Sequence, residues 1–198
     1  MKEMRIEADR QHPVQLKTDR LILRPWKQED AEELFGLACD PEIGPAAGWS
    51  PHQTLEDSRQ VLEHVLMVPE TWAVVPKATG KPAGSISLLQ GKQANLCLAE
   101  GEAEIGYWIG RAYWGQGLIP EAAQALIAHG REDLALTRIW CGWFDGNEKS
   151  RRVQEKLGFR YDRTESDVPC AIPGVLHTVH VSRRTCNPEN GMEMLSIL

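Results

Sequence analysis

Between Glu102 and Ala122 the chain carries the residues best suited to hold a charged small molecule. The run Ala103-Glu104-Ile105-Gly106-Tyr107-Trp108-Ile109-Gly110 reads as a strand, and it leads into Tyr113-Trp114-Gly115-Gln116-Gly117-Leu118-Ile119-Pro120-Glu121-Ala122. Glycines such as Gly115 and Gly117 let the backbone approach an anion closely. The residues behind them have helical spacing, and Pro120 suits an early helical position, where its missing N–H costs little. The first N–H groups of a helix have no partner inside it, and the helix dipole adds partial positive charge at that end. Strand, Gly-x-Gly turn and helix start together make a phosphate cradle. On the motif alone, a plain tight turn is the competing reading. Two other phosphate-binding patterns are absent. The dinucleotide fingerprint needs glycine where Pro120 stands, and the next strand opens with Leu136-Thr137-Arg138 rather than closing on an acidic residue. A P-loop needs Gly-Lys-Ser/Thr after the turn.

Three stretches in order resemble the GNAT (Gcn5-related N-acetyltransferase) superfamily. Glu104-Ile105-Gly106-Tyr107-Trp108-Ile109 followed by Tyr113-Trp114-Gly115-Gln116-Gly117-Leu118 and Glu121-Ala122 is similar to its acetyl-CoA motif. Asn147-x-x-Ser150, with Glu155-Lys156-Leu157-Gly158-Phe159, resembles its second motif. Leu16-x-Thr18-Asp19-Arg20-Leu21-Ile22-Leu23-Arg24 resembles the opening of the branch that includes ribosomal-protein alanine N-acetyltransferases. The resemblance implies that the fourth and fifth expected strands, 102–110 and 138–144, splay apart and admit the pantetheine arm of acetyl-CoA. Backbone groups of Trp108, Ile109 and Gly110 would pair with that arm. The N–H groups of Gly115, Gln116, Gly117, Leu118 and Ile119 would hold the diphosphate, and Asn147 would bond the arm from the far side. Relatives often have Arg or Gln where this chain has Ala112, with Arg111 next door as a weak substitute.

Acetyl transfer to an amine needs a proton acceptor, a donor for the oxyanion and a donor for the departing sulfur. In the family's usual mechanism the amine attacks directly in a ternary complex, so none of the cysteines is required. The Ile109 N–H is the expected oxyanion donor. Alternation places Glu102, Glu104, Gly106 and Trp108 on one strand face. A carboxylate in a partly dry cleft is a good base, which suggests Glu104; the bland alternative is a loop anchor or an ammonium binder. Many relatives donate from a tyrosine seven residues after the asparagine, where this chain has Gln154. The branch resemblance points instead to Ser150, against the reading that its hydroxyl only steadies the first helical turn.

The remaining elements must position these groups. Residues 21–25 read as a strand; Ala31, Leu34, Phe35, Leu37 and Ala38 give one helix, and 54–68 a second, with Leu55, Val61, Leu62, Val65 and Leu66 inward. Residues 71–75 and 83–89 form a hairpin about Thr79-Gly80-Lys81. Helices follow at 120–134 and at 147–157, the latter stopped by Gly158, with last strands near 161–165 and 176–183. This order implies an α/β (α+β) domain of the GNAT type: a mixed, mostly antiparallel sheet flanked by helices and splayed between the fourth and fifth strands. One domain spans 16–185, between an arm, 1–15, and a tail, 186–198. Pro41 to Pro51 is the expected acceptor-selecting loop. Trp26, Trp49 and Trp143 either wall the acceptor pocket or pack the core.

A length of 198 residues suits one core, and the composition is that of a globular protein. A net charge of -6 argues against nucleic acid and is compatible with a cationic acceptor. Cys39, Cys97, Cys141, Cys170 and Cys186 form no CxxC pair, and free thiols are expected. His177 and His180 lie three apart in a strand and so face opposite ways, which leaves no metal site. No signal peptide or membrane span is recognisable, and a soluble cytoplasmic protein is expected. The expected function is acetyl-CoA-dependent acetylation of a primary amine, either a protein N-terminus or a small metabolite. The homodimers common in the family give the expectation of self-association. A CoA-binding regulatory protein with weak catalysis is the alternative.

Overall fold

The computed structural model describes residues 15–186. The expected arm, apart from Gln15, and the tail beyond Cys186 lie outside the described residues. Cys186 itself is buried and donates its N–H to Thr137 O.

The chain opens with the strands β1 (Leu16–Lys17) and β2 (Leu21–Pro25). The helices α1 (Ala31–Ala38), α2 (Gly44–Ala47) and α3 (Leu55–Val61) follow. Next come β3 (Thr71–Pro76), β4 (Gly84–Leu89) and β5 (Glu102–Ile109). The remainder is α4 (Leu118–Glu132), β6 (Arg138–Phe144), α5 (Glu148–Lys156), β7 (Arg160–Pro169) and β8 (Leu176–Thr185). The eight strands make one sheet in the order β1-β2-β3-β4-β5-β6-β8-β7. Neighbours are antiparallel except β5 and β6, which run parallel.

That parallel pair holds at three positions, Glu102–Arg138, Ala103–Ile139 and Glu104–Trp140. Past them β5 stays with β4 to Ile109, and β6 stays with β8 to Phe144. The sheet therefore opens into a wedge, as the family resemblance implied.

Each face has its own core. On one, α4 lays Leu118, Ala122, Ala123 and Leu126 against Leu23, Val74, Ile86, Ile105 and Ile139. On the other, α1 and the π-helical turn that continues α3, Leu62–Leu66, lay Leu34, Ala38, Leu62 and Leu66 against Trp26, Ala73 and Val75. At about 25 cal/mol per Å2 of apolar surface, such burial is what holds the helices to the sheet.

Three expectations are revised. The second helix begins in a Thr54/Asp57 capping box but continues as a π-helical turn, Leu62–Leu66. The wider turn rotates Val65 outward, where it is 56% exposed, while Leu62 and Leu66 stay buried. The expected loop at 45–51 contains α2, one helical turn closed by left-handed Gly48. Finally, α4 starts at Leu118, two residues before Pro120, because Gly117 at φ +73° turns the chain into the helix.

Candidate active site

Gly115 and Gly117 have φ of +74° and +73°, a region that costs other residues about 1–2 kcal/mol. This shape lines up the N–H groups of Gly115, Gln116, Gly117, Leu118 and Ile119, none of which donates to an acceptor among the described residues. The positive end of α4 thus carries five free donors.

A latch fixes this end. Glu121 Oε1 accepts from Thr18 Oγ1 at 2.5 Å and from the Arg20 N–H at 2.9 Å. Its Oε2 accepts from Arg20 Nε at 2.6 Å, and Arg20 Nη1 donates to Gln116 O at 2.9 Å. Burial pushes the Glu121 carboxyl up, but the Thr18 and Arg20 bonds outweigh it and hold the group below its ordinary 4.5. The Thr18-Asp19-Arg20 resemblance marked these residues without revealing what they touch. Arg111, expected to substitute at the phosphates, instead pairs with Asp40 at 3.0 Å and Glu42 at 2.8 Å.

One wall of the wedge is β5. Gly110 N–H donates to Ala83 O at 2.8 Å, so even-numbered residues of β5 turn their backbone to β4 and odd-numbered ones to the wedge. Of the expected pairing residues, Ile109 therefore presents its N–H to the wedge, while the N–H groups of Gly110 and Trp108 face β4. Tyr107 joins Ile109, and the Ile109 carbonyl accepts from Trp114 Nε1 at 3.0 Å.

The opposite wall is the start of α5. Asn147 caps it, Oδ1 accepting from the Ser150 N–H at 3.1 Å, while Nδ2 donates to Ala46 O at 3.2 Å. Ser150 Oγ lies 3.0 Å from Tyr107 Oη and accepts from Gln154 Nε2 at 3.3 Å. Gln154 is buried; its Nε2 also donates to Gly142 O at 3.1 Å, and its Oε1 accepts from Ser182 Oγ at 2.5 Å. The position of the family's usual tyrosine is thus a clamp between α5, β6 and β8.

Glu104 lies on the α1–α3 face, as alternation predicts, and is buried. Its Oε2 accepts from the N–H groups of Asn95 at 2.7 Å and Leu96 at 3.1 Å, and Oε1 from Asn95 Nδ2 at 3.3 Å. The carboxylate expected as a base holds down the 95–96 loop. Nearby, Trp108 packs against Trp26 (6.4 Å between centroids) and Trp49 (5.7 Å), and Trp49 against His52 (5.4 Å). Trp143 belongs elsewhere: it packs on His180 and Tyr161, on the sheet face shared with α5. His177 stacks on Phe144, so the two histidines do face apart.

The α2 segment crosses the wedge. Ala46 O is held by Asn147, and Gly48 O accepts from the Ala171 N–H at 2.9 Å. A Cβ at Gly48 would sit 3.0 Å from the Phe144 ring. Residues 46–48 therefore link the helices on the β1–β5 side to the β6–α5 turn and the β7–β8 connection. Nothing in the sequence signalled this bridge beyond the expectation that the loop after α1 serves the acceptor.

A sheet split between two parallel strands, with a free-amide helix start beside the split, is the arrangement that the resemblance to the N-acetyltransferases implied. The sequence model of the Acetyltransferase (GNAT) domain matches residues 20–160. The chain is 30% identical over 150 residues to the uncharacterized N-acetyltransferase p20 of Bacillus licheniformis, spanning 73% of this chain and 82% of that one. The ribosomal-protein-S5-alanine acetyltransferase of Vibrio fischeri has a similar fold, with TM-score 0.69 and 20% identity over 88% of this chain and 98% of that one. So has the microcin C7 self-immunity acetyltransferase MccE, solved with acetyl-CoA and AMP, with TM-score 0.70 and 22% identity over 85% and 93%. The chain belongs to the GNAT acetyltransferase family. Among the described residues no helix is long and apolar enough to cross a membrane, and no His, Cys, Asp and Glu cluster is placed to hold a metal ion.

Proposed function

We propose that this N-acetyltransferase takes its acetyl group from acetyl-CoA and passes it to the primary amine of a small molecule. One observation carries the reading: five unpartnered N–H groups stand at the start of α4, beside the opening between β5 and β6. They fit a diphosphate, and the wedge-facing amides of Tyr107 and Ile109 fit an extended arm laid along β5 as an added strand. Acetyl-CoA supplies an activated thioester. The chain's own residues then hold and aim it. Gly115 to Ile119 grip the phosphates. The Ile109 N–H stabilises the oxyanion as the amine attacks. The C–N bond forms, the C–S bond breaks, and the nitrogen's surplus proton passes to water. Ser150 gives the sulfur a proton and is refilled from water.

The small acceptor is favoured by the α2 bridge. It ties the two sides of the wedge together beside Trp26, Trp49 and Trp108, and such a bridge favours an acceptor small enough to enter beneath it. The aromatic wall suits an amine with an apolar or cationic body. A second reading, a CoA-binding protein with weak catalysis, is supported by the commitment of Glu104 to its loop.

Calorimetry with CoA, together with amine-dependent thiol release across small amines, polyamines and peptides with free N-termini, separates these readings. Binding with turnover on small amines is expected. Faster turnover on peptides would overturn the acceptor class. Binding without turnover on any acceptor would favour the second reading, and the absence of binding would remove both.

A further inference from the structure

We infer that Tyr107 is a positioning residue for the acid step: its phenol aims the Ser150 hydroxyl proton into the wedge. The inference rests on the acetyl-CoA reading above and adds a residue to it. A serine in the first turns of a helix commonly turns its hydroxyl back onto a backbone carbonyl of the previous turn. Ser150 makes no such bond among the described residues. Its Oγ instead has two side-chain neighbours, Gln154 Nε2 at 3.3 Å and Tyr107 Oη at 3.0 Å. The Gln154 amide nitrogen can only donate, so it occupies one lone pair of Oγ.

The second contact decides where the serine proton goes. With Tyr107 Oη donating to Oγ, both lone pairs are filled and the Ser150 O–H is left to point away from both partners. The alternative, Oη donating to Ser150 O at 3.3 Å, turns the serine proton back onto the phenol. A sulfur arriving beside Oγ favours the first arrangement, because it offers the serine proton an acceptor. Burial holds the Tyr107 hydroxyl well above its ordinary 10.0, so it stays protonated and a donor.

In the step itself Tyr107 keeps its proton. As the C–S bond breaks, the Ser150 proton moves to sulfur, and the charge left on Oγ is met by two donors, Tyr107 and Gln154, until water restores the proton. The role the family gives to a tyrosine on the helix is here divided between Ser150, which touches the sulfur, and a strand tyrosine that orients it. Gln154 holds the helix at the right distance through Gly142 and Ser182.

The test is a double-mutant cycle of Tyr107→Phe and Ser150→Ala, read as kcat and KM for acetyl-CoA across pH. Tyr107→Phe is expected to lower kcat about tenfold, the loss of one hydrogen bond to a group that develops charge, with KM within about twofold. The double variant should match Ser150→Ala alone. Multiplying effects, an unchanged kcat, or a loss confined to KM would overturn the inference. A CoA complex of the unaltered protein tests it independently of how Tyr107→Phe folds. Sulfur within hydrogen-bond reach of Ser150 Oγ, with Tyr107 still on Oγ, is expected. Sulfur bonded directly to Tyr107 Oη would overturn it. CoA binding and thiol release by the unaltered protein, measured alongside, separate the failure of this inference from that of the acetyltransferase chemistry beneath it.

Discussion

The two ends of the wedge are built from different materials. At α4 the groups beside the opening are main-chain N–H groups, set by glycine dihedrals and braced from behind by Glu121, Arg20 and Thr18. At α5 they are side chains, Tyr107, Ser150 and Gln154, each oriented by the others. A main-chain cradle is indifferent to most side chains and depends on a few glycines. A side-chain relay depends on partners distant in sequence: Tyr107 and Ser150 are 43 residues apart. The first kind of site should fail through backbone strain and lose binding. The second should fail through lost orientation and lose rate.

The sharpest way to break this contrast is Gly117→Val. A β-branched residue at φ +73° forces the loop to change shape, and the new side chain would lie against Arg20, whose Nη2 is 3.7 Å from an ideal Cβ. CoA binding should weaken about 100-fold, since ~1–2 kcal/mol of left-handed strain adds to the lost alignment of donors. Calorimetry on a folded variant checks it. Near-normal affinity would show that the amides are not the grip.

Next in size is the latch. Arg20→Ala should weaken CoA binding about tenfold while leaving kcat at saturating acetyl-CoA nearly intact, because the brace is removed and the relay is untouched. Its partner has a pH signature. The Glu121 carboxyl is held below 4.5 in the folded protein, so the latch contributes stability above that pH and loses it as pH falls through the lowered value. Glu121→Gln should flatten the loss of thermal stability below about pH 4.5. An unchanged acid slope would mean that other carboxylates carry it.

The same contrast explains what was legible in the sequence. The Gly-x-Gly turn, the helix behind it and the strand before it are local features, and their spacing pointed to the cradle, whereas the wedge was implied by the family resemblance. Alternation along β5 put Glu104 and Trp108 on the same face as Glu102. What alternation cannot give is the partner of a side chain. Glu104 has the right place for a base, but its carboxylate meets the N–H groups of a loop, Asn95 and Leu96, that has no periodic pattern. Trp143 looked equivalent to Trp26 and Trp49, yet its strand lies beyond the wedge and turns it to the other face. The bridge from Ala46 and Gly48 to Asn147 and Ala171 joins positions about 100 residues or more apart and leaves no trace in composition.

Glu104→Gln sharpens the contrast at the centre. As a loop anchor, Glu104 should respond in stability more than in rate. The Gln carbonyl can still accept from the backbone N–H groups of Asn95 and Leu96, but its NH2 group then faces the donor Asn95 Nδ2 and the charge that strengthens all three bonds is lost; a buried mismatch of that kind costs about 1–3 kcal/mol. The melting temperature should fall by several degrees, about 2–4 °C per kcal/mol for a chain of this size, and kcat of the folded variant by less than about tenfold. A kcat loss of about 100-fold or more at unchanged melting temperature would assign Glu104 as the base.

The smallest expected effect is a gain. Ala112 is exposed just before the cradle, where relatives often carry Arg or Gln, and Arg111 is tied to Asp40 and Glu42. Ala112→Arg adds a cation near the phosphates without disturbing a buried contact. An exposed charge pair contributes about 0.2–1 kcal/mol, so CoA affinity should rise about threefold at low salt and return toward the starting value at high salt. Affinity measured at two ionic strengths decides the matter. A gain indifferent to salt would come from packing on the loop, and no gain at all would place the diphosphate away from this turn. Either result would say more about where the ligand lies than the loss of function in Gly117→Val, because an added group that finds its ligand cannot be mistaken for a damaged fold.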